Sequence, residues 1–407
     1  MLYVPNLRFP EFEGEWEEKK LGDLLEFKNG LNASKEQYGK GIKFINVLDI
    51  LSNDFITYDN IIGLVDIDDT TFDKYSVKYG DILFQRSSET REEVGTANVY
   101  LDKEKTATFG GFIIRGRKIS DYEPIFLNKL LKTPAARKSI TTKSGGSTRY
   151  NVGQDILTFI SLHFPTLQEQ QKIALFLSLL DERIQTQNQI IEELKLLKST
   201  ISRKLFSQQL RFRDDYGDNF CNWKLEKLGN VVKFLKGSNL SKNDIDLSGV
   251  LKCIHYGELF TIYNEVIYDI FSRTNKEGTR SQAGDILMPS SDVTPQGLAT
   301  ASTVLEENII LGGDINILRP KDTINSIFLS YFLNNAKRKI IELVSGTTVK
   351  HIYSKDLEQM DIPIPCFEEQ CKIANFLSSF NRKIKIETIE LQQLENQKKY
   401  LLSKLFI

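Results

Sequence analysis

The sequence has few cysteines and no long apolar run. Its four cysteines in 407 residues form no Cys-x-x-Cys pair and are too few for a disulfide framework, which indicates a reducing compartment. The longest dense apolar run, residues 173–180, is far shorter than the roughly 20 residues of a membrane-spanning helix. Residues 11–18 carry five glutamates, which excludes a secretory signal there. We therefore expect a cytoplasmic protein without a membrane span.

Signatures of catalysis are also lacking. There is no Gly-x4-Gly-Lys-[Ser/Thr] phosphate loop, no Gly-x-Gly-x2-Gly fingerprint and no Gly-x-Ser-x-Gly elbow. The absence of any Pro-Pro dipeptide excludes the [Asp/Asn/Ser]-Pro-Pro-[Tyr/Phe] motif of amino-group methyltransferases. Cys366 and Cys371 have only His351 nearby, which is a poor match to zinc-ligand spacing. We expect neither catalysis nor a metal on this chain.

Charge of one sign is not in excess, because 53 Lys and Arg oppose 54 Asp and Glu. The balance hides a segregation along the chain. Residues 115–150 hold nine basic and two acidic residues, and residues 321–355 hold six basic and two acidic ones. Residues 44–73, by contrast, contain seven aspartates and no basic residue. Near-neutrality therefore does not exclude a polyanionic partner.

The chain contains one unit of about 200 residues twice. Leu7-Arg8-Phe9 recurs as Leu210-Arg211-Phe212, and the pattern W-x3-K-L-G-x4-F-x2-G of residues 16–30 recurs at residues 223–237. The strand-like Gly-Asp-Ile-Leu of residues 80–83 recurs at residues 284–287. Residues 165–206 align without a gap to residues 365–406, with 15 identities in 42 positions, including Glu-Gln-x-Lys-Ile-Ala.

The repeated C-terminal segments predict two long helices. Pro165 and Pro365 precede them, and neither proline nor glycine interrupts residues 166–207 or 366–407. Apolar residues in each segment are spaced by sums of three and four, as in a heptad seam. The predicted seam consists of Leu177, Leu180, Ile184, Gln187, Ile191, Leu194, Lys198, Ile201 and Leu205, and of Leu377, Phe380, Ile384, Glu387, Leu391, Leu394, Lys398, Leu401 and Leu405.

The polar seam positions suggest how the two helices pair. One antiparallel register places Lys198 opposite Glu387 and Gln187 opposite Lys398, and it keeps the apolar layers matched. We therefore predict an antiparallel coiled coil in that register. In the alternative, both lysines extend from the edge of the seam into solvent.

The parts ahead of the helices mix strand and helix patterns. Apolar runs such as residues 42–47, 82–84 and 315–318 predict strands. Amphipathic segments over residues 126–140 and 328–344 predict helices that end before a Ser-Gly turn. We predict an α+β fold, with two repeated mixed α/β domains that are each followed by a long helix.

Two loops in each half have residues suited to nucleic acid. In residues 143–151 and 345–351, glycines let backbone N–H groups approach a phosphate, while hydroxyl, amide and basic side chains can bond phosphates or base edges. A second loop follows each Gly-Asp-Ile-Leu strand. Taken singly, each loop is also explained as a solvated turn, but their recurrence at matched positions favours a shared role. The candidates are Ser34, Lys35, Arg86, Ser87, Ser88, Lys143, Ser147, Thr148, Arg149, Tyr150, Asn151, Ser241, Lys242, Ser290, Ser291, Thr347, Thr348, Lys350 and His351.

Together these features resemble the specificity subunit of type I restriction-modification systems. The resemblance rests on the two copies of L-R-F…W-x3-K-L-G, on Gly-Asp-Ile-Leu and on the Glu-Gln-x-Lys-Ile-Ala helix that ends in Lys-Leu-Phe, and it covers essentially the whole chain. It implies target recognition domains at residues 1–164 and 208–364, with conserved spacer helices at residues 165–207 and 365–407.

The resemblance also implies partners and a function. Each domain would read one half of an asymmetric bipartite site in double-stranded DNA, and the helices would dock two modification subunits that methylate adenine with S-adenosylmethionine. Restriction subunits would add ATP- and Mg-dependent translocation and cleavage, so no cofactor is expected on this chain. The C-terminal Lys-Leu-Phe-Ile should lie near Leu7-Arg8-Phe9, in a circular arrangement.

Two other classes stay open. One is a coiled-coil adaptor that recognises protein, which a flat salt dependence of DNA binding would favour. The other is a stand-alone DNA-modifying enzyme, which an assay of the purified chain with cofactor would identify.

Overall fold

The computed structural model describes residues 3–146, 148–238 and 240–407, which form two compact units. The first unit comprises Met1–Gln187 with Glu390–Ile407, and the second comprises Asn188–Ile389. Each unit thus holds one globular part and a portion of both long helical segments. The predicted domain boundaries follow the sequence repeat instead and stay a prediction.

In the first repeat of the sequence, short strands and helices alternate ahead of a long helix. The strands are β1 (Glu17–Lys20), β2 (Leu25–Asn29), β3 (Tyr38–Ile45), β4 (Leu64–Val65), β5 (Ile82–Gln85), β6 (Ser87–Ser88), β7 (Ala97–Val99), β8 (Thr108–Phe109), β9 (Ile113–Lys118), β10 (Tyr150–Asn151) and β11 (Ser161–Phe164). The helices are α1 (Leu21–Leu24), α2 (Val47–Ser52), α3 (Asp69–Tyr75), α4 (Pro124–Leu131), α5 (Pro134–Lys143), α6 (Gln154–Thr158) and the long α7 (Leu167–Phe206), with a 3₁₀ turn at Lys35–Gln37.

A four-stranded antiparallel sheet of order β2-β9-β5-β7 lies at the centre of the first unit, beside a β4-β3-β8 sheet in which β3 and β8 are parallel. Strand β5 is buried along its whole length. Ile82 and Phe84 belong to one core cluster and Leu83 to another. Because successive side chains of a strand point to opposite faces, β5 is covered on both sides.

The second repeat has a similar but not identical element order. Its strands are β12 (Lys224–Lys227), β13 (Val232–Lys236), β14 (Leu251–Ile254), β15 (Val266–Ile267), β16 (Arg273–Thr274), β17 (Ile286–Pro289), β18 (Ser291–Asp292), β19 (Ser302–Val304), β20 (Ile310–Leu311), β21 (Ile315–Pro320), β22 (Lys350–His351) and β23 (Asp361–Ile364). The helices are α8 (Leu228–Val231), α9 (Glu258–Thr261), α10 (Pro295–Leu298), α11 (Ser326–Asn335), α12 (Lys337–Glu342), α13 (Ser354–Glu358) and the long α14 (Phe367–Leu405), with a 3₁₀ turn at Lys242–Asp244.

The central sheet of the second unit has the order β13-β21-β17-β19-β15. Its first four strands correspond one by one to β2-β9-β5-β7, and β15 adds a parallel edge strand beside β19. A β16-β14-β20 sheet again lies beside it. The shared topology confirms the predicted repeat of two mixed α/β domains.

The Gly-Asp-Ile-Leu motif is structural. Its glycine has a φ of 87° in the first unit and 91° in the second, a left-handed conformation that glycine adopts without strain. The buried Asp81 forms an ion pair with Arg117 at 3.1 Å, and the buried Asp285 accepts two hydrogen bonds of 2.8 Å from Arg319. The motif therefore joins the start of the central strand to its neighbour in the sheet.

The amphipathic segments predicted as single helices are each divided in two. Pro134 opens α5 as its first residue, and Thr133 caps it through the Ala136 N–H group. Proline disfavours a helical conformation in the residue before it, so α4 ends ahead of this point. In the second unit the division comes at Ala336, which stands between α11 and α12.

The predicted long helices are present as α7 and α14, and their starts are held by ion pairs in which the carboxylate is buried. Arg8 donates two hydrogen bonds, of 2.8 and 2.7 Å, to the carboxylate of Glu169. Arg211 makes the same pair of bonds with Glu369, at 3.1 and 2.7 Å. Both glutamates are fully buried. The repeated Leu-Arg-Phe and Glu-Gln-x-Lys-Ile-Ala motifs are thus two sides of one contact.

The glutamine of the helix motif fastens a second helix. In the first unit the Gln170 side chain accepts from the Glu123 N–H group at 3.1 Å and donates to the Pro165 carbonyl at 2.9 Å. Gln370 makes the equivalent bonds with the Asn325 N–H group, at 2.8 Å, and with the Pro365 carbonyl. Each long helix is therefore joined to the N-cap residue of α4 or α11.

The predicted seam is the buried stripe of the long helices, because every seam residue is buried or half-buried. In the first unit, Leu177 near the start of α7 shares a core cluster with Leu401 and Leu405 at the end of α14. In the second unit, Leu205 at the end of α7 shares one with Leu377 near the start of α14. The start of one helix thus packs with the end of the other, as an antiparallel pair requires.

The seam lysines have partners that the sequence reasoning did not consider. In the second unit, Lys198 donates to both carboxylate oxygens of Glu265, at 2.7 and 2.8 Å. In the first unit, Lys398 lies 2.7 Å from a carboxylate oxygen of Asp181. The pairings of Lys198 with Glu387 and of Gln187 with Lys398 stay predictions.

The end of the chain lies against its beginning within the first unit. The Leu7 N–H group donates to the carbonyl of Lys404 at 2.9 Å, and the equivalent Leu210 N–H group donates to the carbonyl of Lys204 at 3.1 Å. The bond is made within a continuous chain in one case and across the termini in the other. The expected proximity of the C-terminus to Leu7-Arg8-Phe9 is confirmed.

Candidate nucleic-acid interface

The two candidate loops of the first unit are brought together by strand pairing. Strands β6 and β10 run antiparallel, with Ser87 opposite Asn151. The Val152 N–H group donates to the Arg86 carbonyl at 3.0 Å, which extends the pairing. Residues from two distant parts of the sequence therefore form one small surface.

The second unit builds the same surface with other residues. Strands β18 and β22 pair with Ser291 opposite His351, and the Ile352 N–H group donates to the Ser290 carbonyl at 3.1 Å. Since the backbone bonds are the same, Ser290 occupies the position of Arg86. The candidates from both loops thus recur together, in matched registers.

The second strand of each pair belongs to a tight hairpin, in which Gly145 pairs with Asn151 and Ser345 with His351. Below, the word hairpin denotes this turn together with the strand that pairs with it, β6 or β18.

A glycine closes the turn of each hairpin. Gly146 has a φ of +117° and Gly346 one of +103°. A Cβ atom on Gly146 would lie 2.0 Å from the Arg149 carbonyl oxygen, and one on Gly346 would lie 2.2 Å from the Val349 carbonyl oxygen. Both positions therefore require glycine for the turn itself.

Several candidates of the first hairpin are available to a ligand. Arg86, Thr148, Arg149 and Asn151 are exposed. Arg149 lies 3.7 Å from Glu89, but both side chains are largely exposed, and such pairs contribute about 0 to 1 kcal/mol. A phosphate can replace this partner at little cost. Ser147 lies outside the described residues.

Two other candidates beside this turn are partly engaged. Lys143 donates to the Phe159 carbonyl at 3.2 Å. Tyr150 is half-buried and packs on the main apolar core. Tyr150 therefore supports the hairpin, whereas the exposed Lys143 can leave its single bond.

In the second hairpin, the threonine side chains are exposed, whereas the basic side chains are held by contacts within the domain. Thr347 and Thr348 are exposed. The Lys350 ammonium donates to the Gly346 carbonyl at 2.7 Å, which ties it to its own turn. His351 is half-buried and its ring stacks on Tyr353, with centroids 6.2 Å apart.

Two candidates lie inside the fold, contrary to the prediction. Ser88 is 7% exposed and donates its hydroxyl hydrogen to Glu93, while Ser290 is 5% exposed. A buried side chain cannot reach a base edge, so the structure speaks against direct DNA contact by these serines. Their neighbours Ser87 and Ser291 are half-exposed.

The remaining candidates open short turns. The Ser34 N–H group donates to Gln37 at 2.8 Å, and the Ser241 N–H group donates to Asp244 at 2.7 Å, each in a capping box. The lysines that follow, Lys35 and Lys242, are exposed. Each turn thus presents a basic residue next to a capped helix start.

The turn of the second unit borders a cleft of about 800 Å³. The cleft is lined by Ser241, Lys242, His255, Tyr256, Lys276 and Asp314, among others. The Ser290 N–H group donates to the Asp314 carbonyl at 2.8 Å, so the cleft borders the β18–β22 hairpin. The Ser241 turn therefore lines this cleft, and the hairpin is joined to the edge of the cleft through Asp314.

His255 is half-buried in the wall of this cleft. Burial lowers the pKa of its imidazole, although the carboxylates of Glu258 and Asp314 oppose the shift. Its Nδ1 accepts a hydrogen bond from the Gly257 N–H group at 3.2 Å, so the neutral ring carries its proton on Nε2. The neutral ring therefore keeps one hydrogen-bond donor, at Nε2.

Sequence reasoning missed two exposed residues beside the hairpins, Phe112 and Asp314. They follow Gly110-Gly111 and Gly312-Gly313 and precede an isoleucine strand in each repeat. A search for further matched glycine pairs would have found them. The backbone carbonyls of both accept from the residue at position 86 or 290.

Within the described part of the chain, no group of three or more His, Cys, Asp or Glu is placed to hold a metal ion. No helix in that part is long and apolar enough to cross a membrane. What the hairpins offer is a set of hydrogen-bond donors and acceptors on paired strands, which suits recognition of a polar, anionic ligand.

The model of the type I restriction modification DNA specificity domain matches this chain twice, at residues 13–196 and 221–396. Each match begins near the start of one repeat and ends within its long helix.

Two proteins of Methanocaldococcus jannaschii are similar in sequence. The putative type I restriction enzyme MjaX specificity subunit is 29% identical over 97% of this chain and 93% of its own length. The type I restriction enzyme MjaVIII specificity subunit is 26% identical over 71% of this chain and 70% of its own.

Two solved structures share the fold. The S subunit of a type I restriction-modification system from M. genitalium has a TM-score of 0.58 at 18% identity and covers 99% of both chains. A chain from a structure of the type I R-M system, described for its assembly and conformational transition, has a TM-score of 0.59 at 17% identity and covers 96% of this chain and 97% of its own.

Proposed function

Since the chain belongs to the family of type I restriction-modification DNA specificity subunits, we propose that each of its two domains reads one half of an asymmetric bipartite DNA site. The supporting observation is that the β6–β10 and β18–β22 hairpins have the same backbone bonds but different side chains at equivalent positions. A shared frame with different side chains suits two readers of different sequences.

The long helices are proposed to dock two modification subunits. Away from the seam, Leu175 is 63% exposed, Leu179 is 55% exposed and Leu196 is 67% exposed. Exposed leucines one helical turn apart, such as Leu175 and Leu179, are typical of protein-binding surfaces. Restriction subunits are proposed to join the resulting complex.

In this proposal the chain has no catalytic activity of its own. S-adenosylmethionine, ATP and Mg would be bound by the partner subunits, in the cytoplasm. The lack of catalytic motifs in the sequence supports this division of roles.

The test is the pattern of DNA methylation. Cells that carry this chain with the modification subunit of its own system are compared with cells that carry the modification subunit alone, and methyladenine is located by sequencing. The expected result is one bipartite asymmetric motif with a methylated adenine in each half. A motif that is unchanged without this chain would contradict the proposal.

A second experiment separates DNA reading from recognition of protein. Phosphate contacts release counterions, so DNA binding by the complex should weaken steeply as salt rises. A flat salt dependence would favour an adaptor. Methylation by the purified chain with S-adenosylmethionine alone would instead identify a stand-alone enzyme.

A further inference from the structure

At one structurally matched pair of positions, the exposed side chains of the two domains have opposite hydrogen-bonding character. The Arg86 N–H group donates to the Phe112 carbonyl at 2.8 Å, and the Ser290 N–H group donates to the Asp314 carbonyl, also at 2.8 Å. Each pair joins the residue after the Gly-Asp-Ile-Leu strand to the residue after a double glycine. Arg86 and Phe112 are therefore replaced by Ser290 and Asp314 in an otherwise equivalent frame.

In the first domain this position presents donors. The Arg86 guanidinium is exposed, and its described contact is a long 3.5 Å bond to the Gly111 carbonyl. Arginine has five N–H donors in a fixed fork, which matches the O6 and N7 acceptors of guanine. Phe112 is 66% exposed next to it and offers an apolar surface. An exposed phenylalanine beside a lightly held arginine is suited to contact with stacked bases.

In the second domain the same position presents an acceptor. Ser290 is buried and has no side-chain reach to a ligand. Asp314 is exposed at the edge of the cleft, and among the described residues its carboxylate has no hydrogen-bond donor. An ionised carboxylate accepts only, so it matches a base with an exocyclic amino group in the major groove.

The charges around Asp314 leave it available. Lys242 and Lys276 line the same cleft, and Lys276 is already paired with Asp244 at 3.2 Å. The lysines can offset phosphate charge while the carboxylate meets a base edge.

We propose that positions 86/112 and 290/314 are one base-reading position used twice. Arg86 selects guanine in the first half-site, and Asp314 selects cytosine or adenine in the second. The inference rests on the proposed function, because it names the residues that give the two half-sites different sequences.

The test uses the full chain assembled with its modification subunits and DNA duplexes in which each position of the bipartite site is varied. Arg86→Lys keeps the charge but loses the fork, and Asp314→Asn keeps the shape but adds a donor. Each substitution should reduce discrimination at one position of one half-site by roughly 5- to 150-fold. The other half-site should be read as before.

Arg149→Ser is the matched control in the first domain, since it removes an exposed cation from the same hairpin. It should slow methylation of all sequences evenly, as loss of a phosphate contact does. If Arg86→Lys also slowed all sequences evenly, or left every base preference unchanged, Arg86 would not read a base and the inference would be overturned. The same outcomes for Asp314→Asn would overturn it for the second domain.

The double substitution Ser290→Arg with Asp314→Phe gives a gain-of-function readout. The recognised second half-site should then contain guanine at the position where the wild-type complex selects cytosine or adenine. Unfolding temperatures identify variants that fail to fold, and Arg86→Ser and Asp314→Ala replace them. A wild-type complex that methylates no bipartite site would contradict the proposed function, whereas a normal wild-type motif with unchanged variants would contradict this inference alone.

Discussion

Arg211 and Glu369 form a doubly hydrogen-bonded ion pair whose carboxylate is fully buried and also accepts from the Trp223 indole N–H group at 2.9 Å. Removal of the charge in Glu369→Gln leaves a guanidinium without its counterion at the start of α14. We expect the free energy of unfolding to fall by about 3 to 5 kcal/mol, measured by urea denaturation. Glu368→Gln, which removes an exposed carboxylate 3.8 Å from Lys372, should cost less than about 1 kcal/mol.

Phe206 and Phe406 should stabilise different units although they end equivalent repeats. Phe206 belongs to the core of the second unit and packs on Phe328, whereas Phe406 belongs to the core of the first unit and packs on Phe126. Each truncation to alanine should cost about 3 to 5 kcal/mol. Hydrogen exchange should therefore speed up in α4 for Phe406→Ala and in α11 for Phe206→Ala. The reverse pattern, or equal effects on both helices, would contradict the assignment.

Much of this fold could be predicted, because the two domains are repeats in the sequence and the long helices have periodically spaced apolar residues. The seam from Leu177 to Leu205 has regular spacing, and every one of its positions is buried or half-buried. The partner of Lys198 could not be predicted, because Glu265 lies far away in the sequence, in a bend ahead of the two-residue strand β15, where no periodic signal exists. The break before Pro134 was visible in the sequence, but the apolar spacing of residues 126–140 continued across it.

Glu265 should contribute to stability in a pH-dependent way. Burial alone would raise the pKa of its carboxyl, but the charge and hydrogen bonds of Lys198, with help from Asn381, lower it below the ordinary value. A carboxyl with a lowered folded pKa adds stability above its unfolded pKa of about 4.3 and loses it as pH falls through the folded value. Glu265→Gln should therefore cost about 2 kcal/mol at neutral pH and progressively less in acid.

The measurement is the difference in unfolding free energy between wild type and Glu265→Gln from pH 7 downward. Asp269→Asn serves as the control, because Asp269 pairs with Lys385 on the surface with both side chains more than half exposed. It should show almost no difference at any pH. A gap for Glu265→Gln that stays constant into acid would show that the carboxylate is not stabilised by Lys198.

The candidate interface was only partly predictable. Residue type and recurrence selected Arg86, Thr148 and Asn151, which are exposed on the hairpin. The same criteria selected Ser88, whose burial depends on Glu93 and on strand pairing that the sequence does not display. Hydroxyl side chains serve solvent-facing and internal roles equally well, so their type alone cannot separate the two.

Gly146 and Gly145 offer a matched pair for a test of the hairpin turn. Gly146 has a φ of +117°, and a Cβ atom there would collide with the Arg149 carbonyl, whereas Gly145 has a conformation open to other residues and no atom within 4 Å of a Cβ. Gly146→Ala should therefore destabilise the turn by about 1 to 3 kcal/mol, and Gly145→Ala should have little effect. Because Thr148 and Asn151 are carried by this turn, Gly146→Ala should also impair reading of the first half-site by the assembled complex. Methylation assays on variant duplexes measure that loss against an unaltered second half-site. Equal effects of the two alanines, or a loss confined to the second half-site, would mean that this turn does not position the reading residues.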